Sequence, residues 1–295
     1  LYIILISIFS LSVMSCNEKD ENKTSTTTDK TNTSSEDKTN TSSEDNTTTT
    51  DDTTTTTTDD DTSNRLYVTV GRSGTIITSP DLTNWTTKTS ETTDSLLHQG
   101  SFGNNTFVVV GIGGTIFTPS YGTTWTSRTL DSKTLTGITF GNNKFITVGW
   151  SETILSSSDN GTTWDNMTPG TSSSELHNVT YGNNKFITVG YPGNIRSSSD
   201  GTTWDNITSG ILNYLYGVTY GNSTFVSVGD NGSIIRSTDN GINWNSSSSG
   251  TTEDLRRVIY GNDEFITVGD SGIIITSSDG ITWTSRTSGT TKGLM

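Results

Sequence analysis

The chain has 295 residues, a formal net charge of −14 and one cysteine. An acidic excess of this size, with no basic stripe, excludes nonspecific nucleic-acid binding, which depends on clustered Lys and Arg. A lone Cys16 excludes an intramolecular disulfide, and a body without thiols excludes cysteine catalysis and thiolate metal sites there.

Residues 1–15 read LYIILISIFSLSVMS. The run is apolar but short of the ~20 residues that a membrane-spanning helix needs. It predicts a signal peptide over 1–15, followed at once by Cys16. Val13-Met14-Ser15-Cys16 resembles the lipobox of bacterial lipoproteins, with Val where Leu is more usual and with no basic segment before the apolar run. The resemblance implies that Cys16 is acylated and becomes the mature N-terminus. The lipid bilayer is then a partner, and the location is the bacterial cell envelope, at the outer membrane, the cell surface or the periplasmic side. Two or more acyl chains would anchor the protein stably.

Residues 16–64 are expected to be a disordered tether. From 17 to 64 there is no aromatic and no aliphatic residue, and 13 acidic residues face 4 lysines. Such a segment has nothing to bury against its ordering entropy. A flexible coil of this length reaches roughly 40 Å, and charge repulsion extends it. Glu18, Asp20 and Glu21 resemble the acidic export signal of surface lipoproteins.

Residues 65–295 repeat. Trp85, Trp125, Trp164, Trp204, Trp244 and Trp283 are spaced by 40, 39, 40, 40 and 39, with Gly-Asn pairs in phase at 103, 141, 182, 221 and 261. Each unit holds four short β-rich runs separated by Asn-Gly, Asp-Gly or Gly-rich turns, which supply the positive φ of tight hairpins. One four-stranded sheet cannot bury both faces, but sheets stacked radially can. The expected fold is therefore all-β, a propeller of about six four-stranded antiparallel blades, seven in a longer chain. A parallel β-helix is the alternative.

The turn before each Trp reads Ser157-x-Asp159-x-Gly161-x-Thr163-Trp164, and again Ser237-x-Asp239-x-Gly241-x-Asn243-Trp244. Asp200 and Asp279 head shorter copies. Asp81 heads one without Gly, and Tyr121 replaces the Asp of unit two. These motifs resemble the Asp-box, or BNR, repeat of sialidase-like propellers and of the photosystem II assembly-factor-like family. The Asp carboxylates are expected to accept backbone N–H groups across their turns while the Trp rings pack between blades. One carboxylate per turn is too few for calcium, and neither metal nor cofactor is expected.

Unit one starts at its second strand, Arg65 aligning with Lys185, so its first strand is missing. In propellers closed by a shared blade the C-terminus supplies that strand. Here residues 290–294 align with 251–255, and the chain ends at the strand's first residue, Leu294. The sequence thus reads as cut short at both ends.

Comparing units shows where a ligand could sit. The Gly-Asn and Asp turns repeat and share one face. The opposite face varies. After the Val-Gly closing strand two come Arg72, Ile112, Trp150, Tyr191, Asp230 and Asp270; after the Leu opening strand one come His98, Thr136, His177, Tyr216 and Arg256, then Gln99, Gly137, Asn178, Gly217 and Arg257. With Tyr214, this face is the candidate binding surface, since aromatics with convergent polar groups line recognition sites. The bland reading is blade-top cover and ordinary hairpins, and the two histidines, with unit three between them, are not expected to share a metal. The favoured function is a membrane-anchored, non-enzymatic interaction module for an unknown protein or glycan. The alternatives are a lectin-like binder and a sialidase-type glycosidase. For the last, Glu152 or Glu253 could pair with Tyr191 or Tyr214, but no Arg-Ile-Pro motif is present and Arg72, Arg196, Arg236 and Arg256 do not clearly converge.

Overall fold

The structure is a computed structural model that describes residues 14–17, 65–88, 96–120, 124–130, 133–168 and 174–295. Most of the signal segment and tether, and Tyr121, lie outside these residues. The chain forms a β-propeller of six four-stranded antiparallel sheets, each laid down in chain order. In blade five the strands are Leu215–Gly221, Thr224–Gly229, Ile234–Ser237 and Asn245–Ser247. Alternation within each strand sends one set of side chains to each neighbouring blade. The Gly-Asn hairpins turn on two residues of positive φ, Asn142 and Asn143 in blade three, for example. Asn tolerates that region better than most residues.

The first strand of each blade packs against that of the next. Five apolar cores join the six blades. The one between blades four and five holds Ile187, Val189, Leu215, Phe225 and Trp244. Four of the five, those joining blades two to six, are locked by an aromatic ring seated on glycine: Gly103 beneath Phe140, Gly141 beneath Tyr181, Gly182 beneath Tyr220 and Gly221 beneath Tyr260. Among the described residues there is no sixth core. Nothing described lies within 4 Å of where a Cβ on Gly261 would stand. Ile259 is 58% exposed. Ile266 and Val268 are partly open, although their counterparts in blades two to five are fully buried. The outer side of blade six is thus an open face.

The missing first strand of blade one is filled from an unexpected place. Met14–Asn17 pairs antiparallel with Arg65–Val70, with Cys16 opposite Leu66. Leu294 does occupy the start of a further first strand. It is buried, and its N–H donates to the carbonyl of Gly269, as that of Leu97 does to Gly71. Among the described residues no helix is long and apolar enough to cross a membrane.

Candidate functional site

The two faces of the propeller separate cleanly. On the repeating face, the Ser–Asp turns at Asp159, Asp200 and Asp279 are tied to the Gly-Asn hairpin of the preceding blade. Asn104 Nδ2 donates to Asn160 Oδ1 at 2.7 Å, and Lys144 Nζ to the carbonyl of Asp200 at 2.9 Å. Within the turn at Asp159, Ser157 Oγ donates to the carboxylate at 2.8 Å and the Thr163 N–H at 2.9 Å. Asp81, Asp200, Asp239 and Asp279 are held alike. Backbone and side-chain donors on Asn243 hold Asp239 down to about 2, and at Asp159 hydrogen bonds from Thr163 and Ser157 outweigh the opposing effect of burial, giving about 2. Trp125, Trp204 and Trp244 are buried in inter-blade cores; Trp85, Trp164 and Trp283 are half-buried. The five carboxylates are thus committed within their turns, while the indole N–H groups of Trp204 and Trp283 are buried without a hydrogen-bond partner.

On the variable face, the residue after the opening Leu is a β-bulge. The pairing slips by one between Leu97 and Gln99, between Leu176 and Asn178, between Leu215 and Gly217, and between Leu255 and Arg257. His98, His177, Tyr216 and Arg256 are the unpaired extra residues. A bulge leaves one residue outside the ladder and re-aims it, which is why bulges gather beside functional sites. The loops above are pinned to the same place. The N–H groups of Trp150, Asp230 and Asp270 donate to the carbonyls of Thr134, Tyr214 and Asp254.

These elements build one continuous stack. Tyr191 and Tyr214 lie parallel with centroids 4.0 Å apart, Tyr214 and Tyr216 follow at 5.7 Å, and the Arg256 guanidinium covers Tyr216 at 4.6 Å. His177 packs against both Tyr214 and Tyr216. Arg256 is fixed by paired hydrogen bonds to Asp270 at 3.1 and 2.6 Å and by an ion pair with Asp254 at 3.1 Å. Burial raises the Tyr216 pKa, and a hydrogen bond to Asp230 adds to the rise. Asp230 Oδ1 is buried without a hydrogen-bond partner, as is His177 Nε2, which lies 3.6 Å from the Glu175 carboxylate.

Several expected residues fall elsewhere. Arg256 and Arg257 do not act as a pair: Arg256 joins the stack, while Arg257 lines the central channel. The histidines are closer than a whole intervening blade suggests. Burial lowers His98, and the positive Arg257 adds to it; burial, Arg257 and His98 together hold His177 near 4. Held near 4, the His177 imidazole is neutral at pH 7. Glu152 pairs with neither Tyr191 nor Tyr214. It is 2% exposed and its Oε1 accepts from Asn194 and from two nitrogens of Arg196, so the Tyr–Glu arrangement considered for a glycosidase is absent at Glu152. Glu253 accepts from Ser271. Arg72 lies on an exposed turn, and Trp150, 49% exposed, makes no ring contact with the stack among the described residues. Sequence comparison between units overlooked Glu175 and Asp254. They share with Tyr214 the position just before the opening Leu, so their signal lay in the same phase.

No family model and no curated protein matches the chain. Solved propellers do. Virginiamycin B lyase from Staphylococcus aureus shares 14% identity and a TM-score of 0.67, over 75% of this chain and 80% of that one. YCF48 from Cyanidioschyzon merolae gives 14% and 0.59 over 75% and 80%. A YCF48 bound to D1 peptide gives 18% and 0.54 over 66% and 67%. At such identities the likeness establishes the β-propeller fold.

Proposed function

We propose that this chain is a non-catalytic binding module that engages a protein partner through the variable face. The observation that carries the reading is the stack Tyr191–Tyr214–Tyr216–Arg256. It is built from three blades' worth of positions that the repeat leaves free to vary, and its outer ring, Tyr191, is 38% exposed. Rigid aromatics beside a braced Arg are the residue types that dominate binding energy at interfaces. The likeness to a propeller solved with a peptide supports a protein partner over a glycan. The exposed Trp150 and Tyr191 rings favour a second reading, a lectin-like binder, because sugars stack on such rings. A glycosidase is less well supported, since the buried Glu152 is committed to Arg196.

The same proposal places the module in a bacterial envelope through acylated Cys16. Cleavage before Cys16 would remove Met14 and Ser15, half of the strand that completes blade one, so anchoring and completion of that blade compete for the same residues. Fractionation of Cys16→Ala tests the anchor: it should leave the membrane fraction, and unchanged membrane retention would contradict acylation. A glycan array and a cell-envelope extract, probed in parallel, test the partner class. A protein captured by the wild type and lost with Tyr191→Ala/Tyr214→Ala supports the main reading. A saturable glycan lost on Trp150→Ala supports the second.

A further inference from the structure

A cavity of about 530 Å³ lies at the centre, walled by the first strands of blades two to six together with Ile266 and Val268 of blade six's second strand and Met295. The Ile138, Val179, Val218 and Val258 side chains at its edge are spent in the inter-blade cores, so its open surface is hydroxylic at Thr139, Thr180 and Thr219 and apolar on blade six, at Ile259, Ile266 and Val268. At one repeat position, the residue after each bulge, the five units present Gln99, Gly137, Asn178, Gly217 and Arg257. At the two glycines the next blade's backbone comes close instead, a Cβ on Gly137 standing 2.9 Å from Asn178 Cα and one on Gly217 3.1 Å from the Val258 nitrogen, so three of the five positions present a side chain. Gln99 Oε1 accepts from Asn178 Nδ2 at 3.0 Å, and Asn178 Oδ1 accepts from the Val218 N–H at 3.4 Å.

Arg257 is the unusual member. Its Nη1 donates to the carbonyls of Tyr216 and Arg256 at 3.3 Å each, and no other hydrogen bond or ion pair engages the guanidinium among the described residues. Arg256 and Arg196, by contrast, are both neutralised by carboxylates. A guanidinium stays charged in a protein, and withdrawing that charge from water without an anion is costly. The neighbouring His98 and His177 imidazoles carry no negative charge in either protonation state and supply no countercharge. The channel therefore combines one uncompensated cation, an amide pair and an aliphatic wall.

We propose that this channel binds a carboxylate carried on an aliphatic body. The free edge of the Arg257 guanidinium takes the carboxylate, the Gln99 amide donates beside it, and the open Ile259–Ile266–Val268 side takes the aliphatic part. A single cation matches a monoanion better than a phosphate, which calls for more donors and more charge. The inference rests on the variable face being the recognition face, and it names the ligand chemistry admitted at its centre.

The test is ligand-observed NMR on the whole protein with hexanoate, its neutral counterpart hexanamide, and glucuronate, a carboxylate on a polar body. Hexanoate should bind saturably and hexanamide should not. Arg257→Met should weaken hexanoate about ten- to hundredfold, the range for a charge-assisted contact. Gln99→Glu preserves an acceptor for Asn178 Nδ2 while placing a negative charge in the site. It should weaken hexanoate similarly, and it decides the matter if Arg257→Met does not fold. Absence of hexanoate binding, equal binding of hexanamide, tighter binding of glucuronate, or full binding by a folded Gln99→Glu protein would each overturn the proposal. Partner capture by the Tyr191/Tyr214 stack is read separately, so failure of the channel is distinguishable from failure of the face.

Discussion

Gln99 of blade two and Asn178 of blade four meet across blade three, amide to amide at 3.0 Å. They can do so because blade three offers Gly137 at that level, where a Cβ would stand 2.9 Å from Asn178 Cα and 3.2 Å from the His177 carbonyl oxygen. A side chain at 137 would push blades three and four apart. Gly137→Ala should therefore destabilise the protein by about 1–3 kcal/mol, the usual cost of overpacking a rigid site, as measured by denaturant midpoint.

The glycine-on-ring locks give an internal control on the open face of blade six. A Cβ on Gly141 would lie 2.1 Å from the Tyr181 ring, whereas one on Gly261 meets nothing. Gly141→Ala should cost about 1–3 kcal/mol or more, while Gly261→Ala should stay within about 0.5 kcal/mol of wild type, as surface changes do. Equal losses in thermal unfolding would mean that blade six is covered.

Leu82 takes φ of 63° in the turn headed by Asp81, the conformation that Gly201 and Gly280 adopt at the same position in the other short turns. An L side chain is strained there, and Leu82 is 39% exposed, so little burial offsets the strain. Leu82→Gly should raise stability by roughly 1 kcal/mol, read as an upward shift of the thermal midpoint.

Acid should weaken the fold in two stages. His177 has a folded pKa near 4 against an ordinary 6.5, so its neutral form contributes stability that is whole above pH 6.5 and is lost as pH falls through 4. Asp159 and Asp239, folded near 2 against 3.8, contribute stability that is whole above about pH 4 and is lost as pH falls through 2. His177→Phe keeps a ring against Tyr214 and should flatten the first stage, with His98 supplying what remains. Asp239→Asn should make the second stage shallower. Urea midpoints across pH 2–8 check both.

The blades were legible because the evidence for them is redundant. Six Trp in phase, with Gly and Asn wherever positive φ is needed, specify hairpins locally and stacking globally. The variable positions were legible for the converse reason, since a scaffold residue repeats and a recruited one need not. The bulge was hidden. A strand reading Leu-His-Gln or Leu-Arg-Arg carries no mark that its second residue leaves the ladder, so nothing in it tells that Arg256 stacks on Tyr216 while Arg257 lines the channel. Glu152 looked free because its partner Arg196 lies 44 residues away on the next blade. The Met14–Asn17 strand was hidden by its own composition, which reads as the end of an apolar leader.

Recognition through the variable face is best tested by capture from a cell-envelope extract, using the whole protein and two double variants. Tyr191→Ala/Tyr214→Ala dismantles the stack, and Thr202→Ala/Asn222→Ala alters the repeating face. The first should lose the captured protein while remaining folded, and the second should retain it. Loss with the second and retention with the first would place recognition on the repeating face instead.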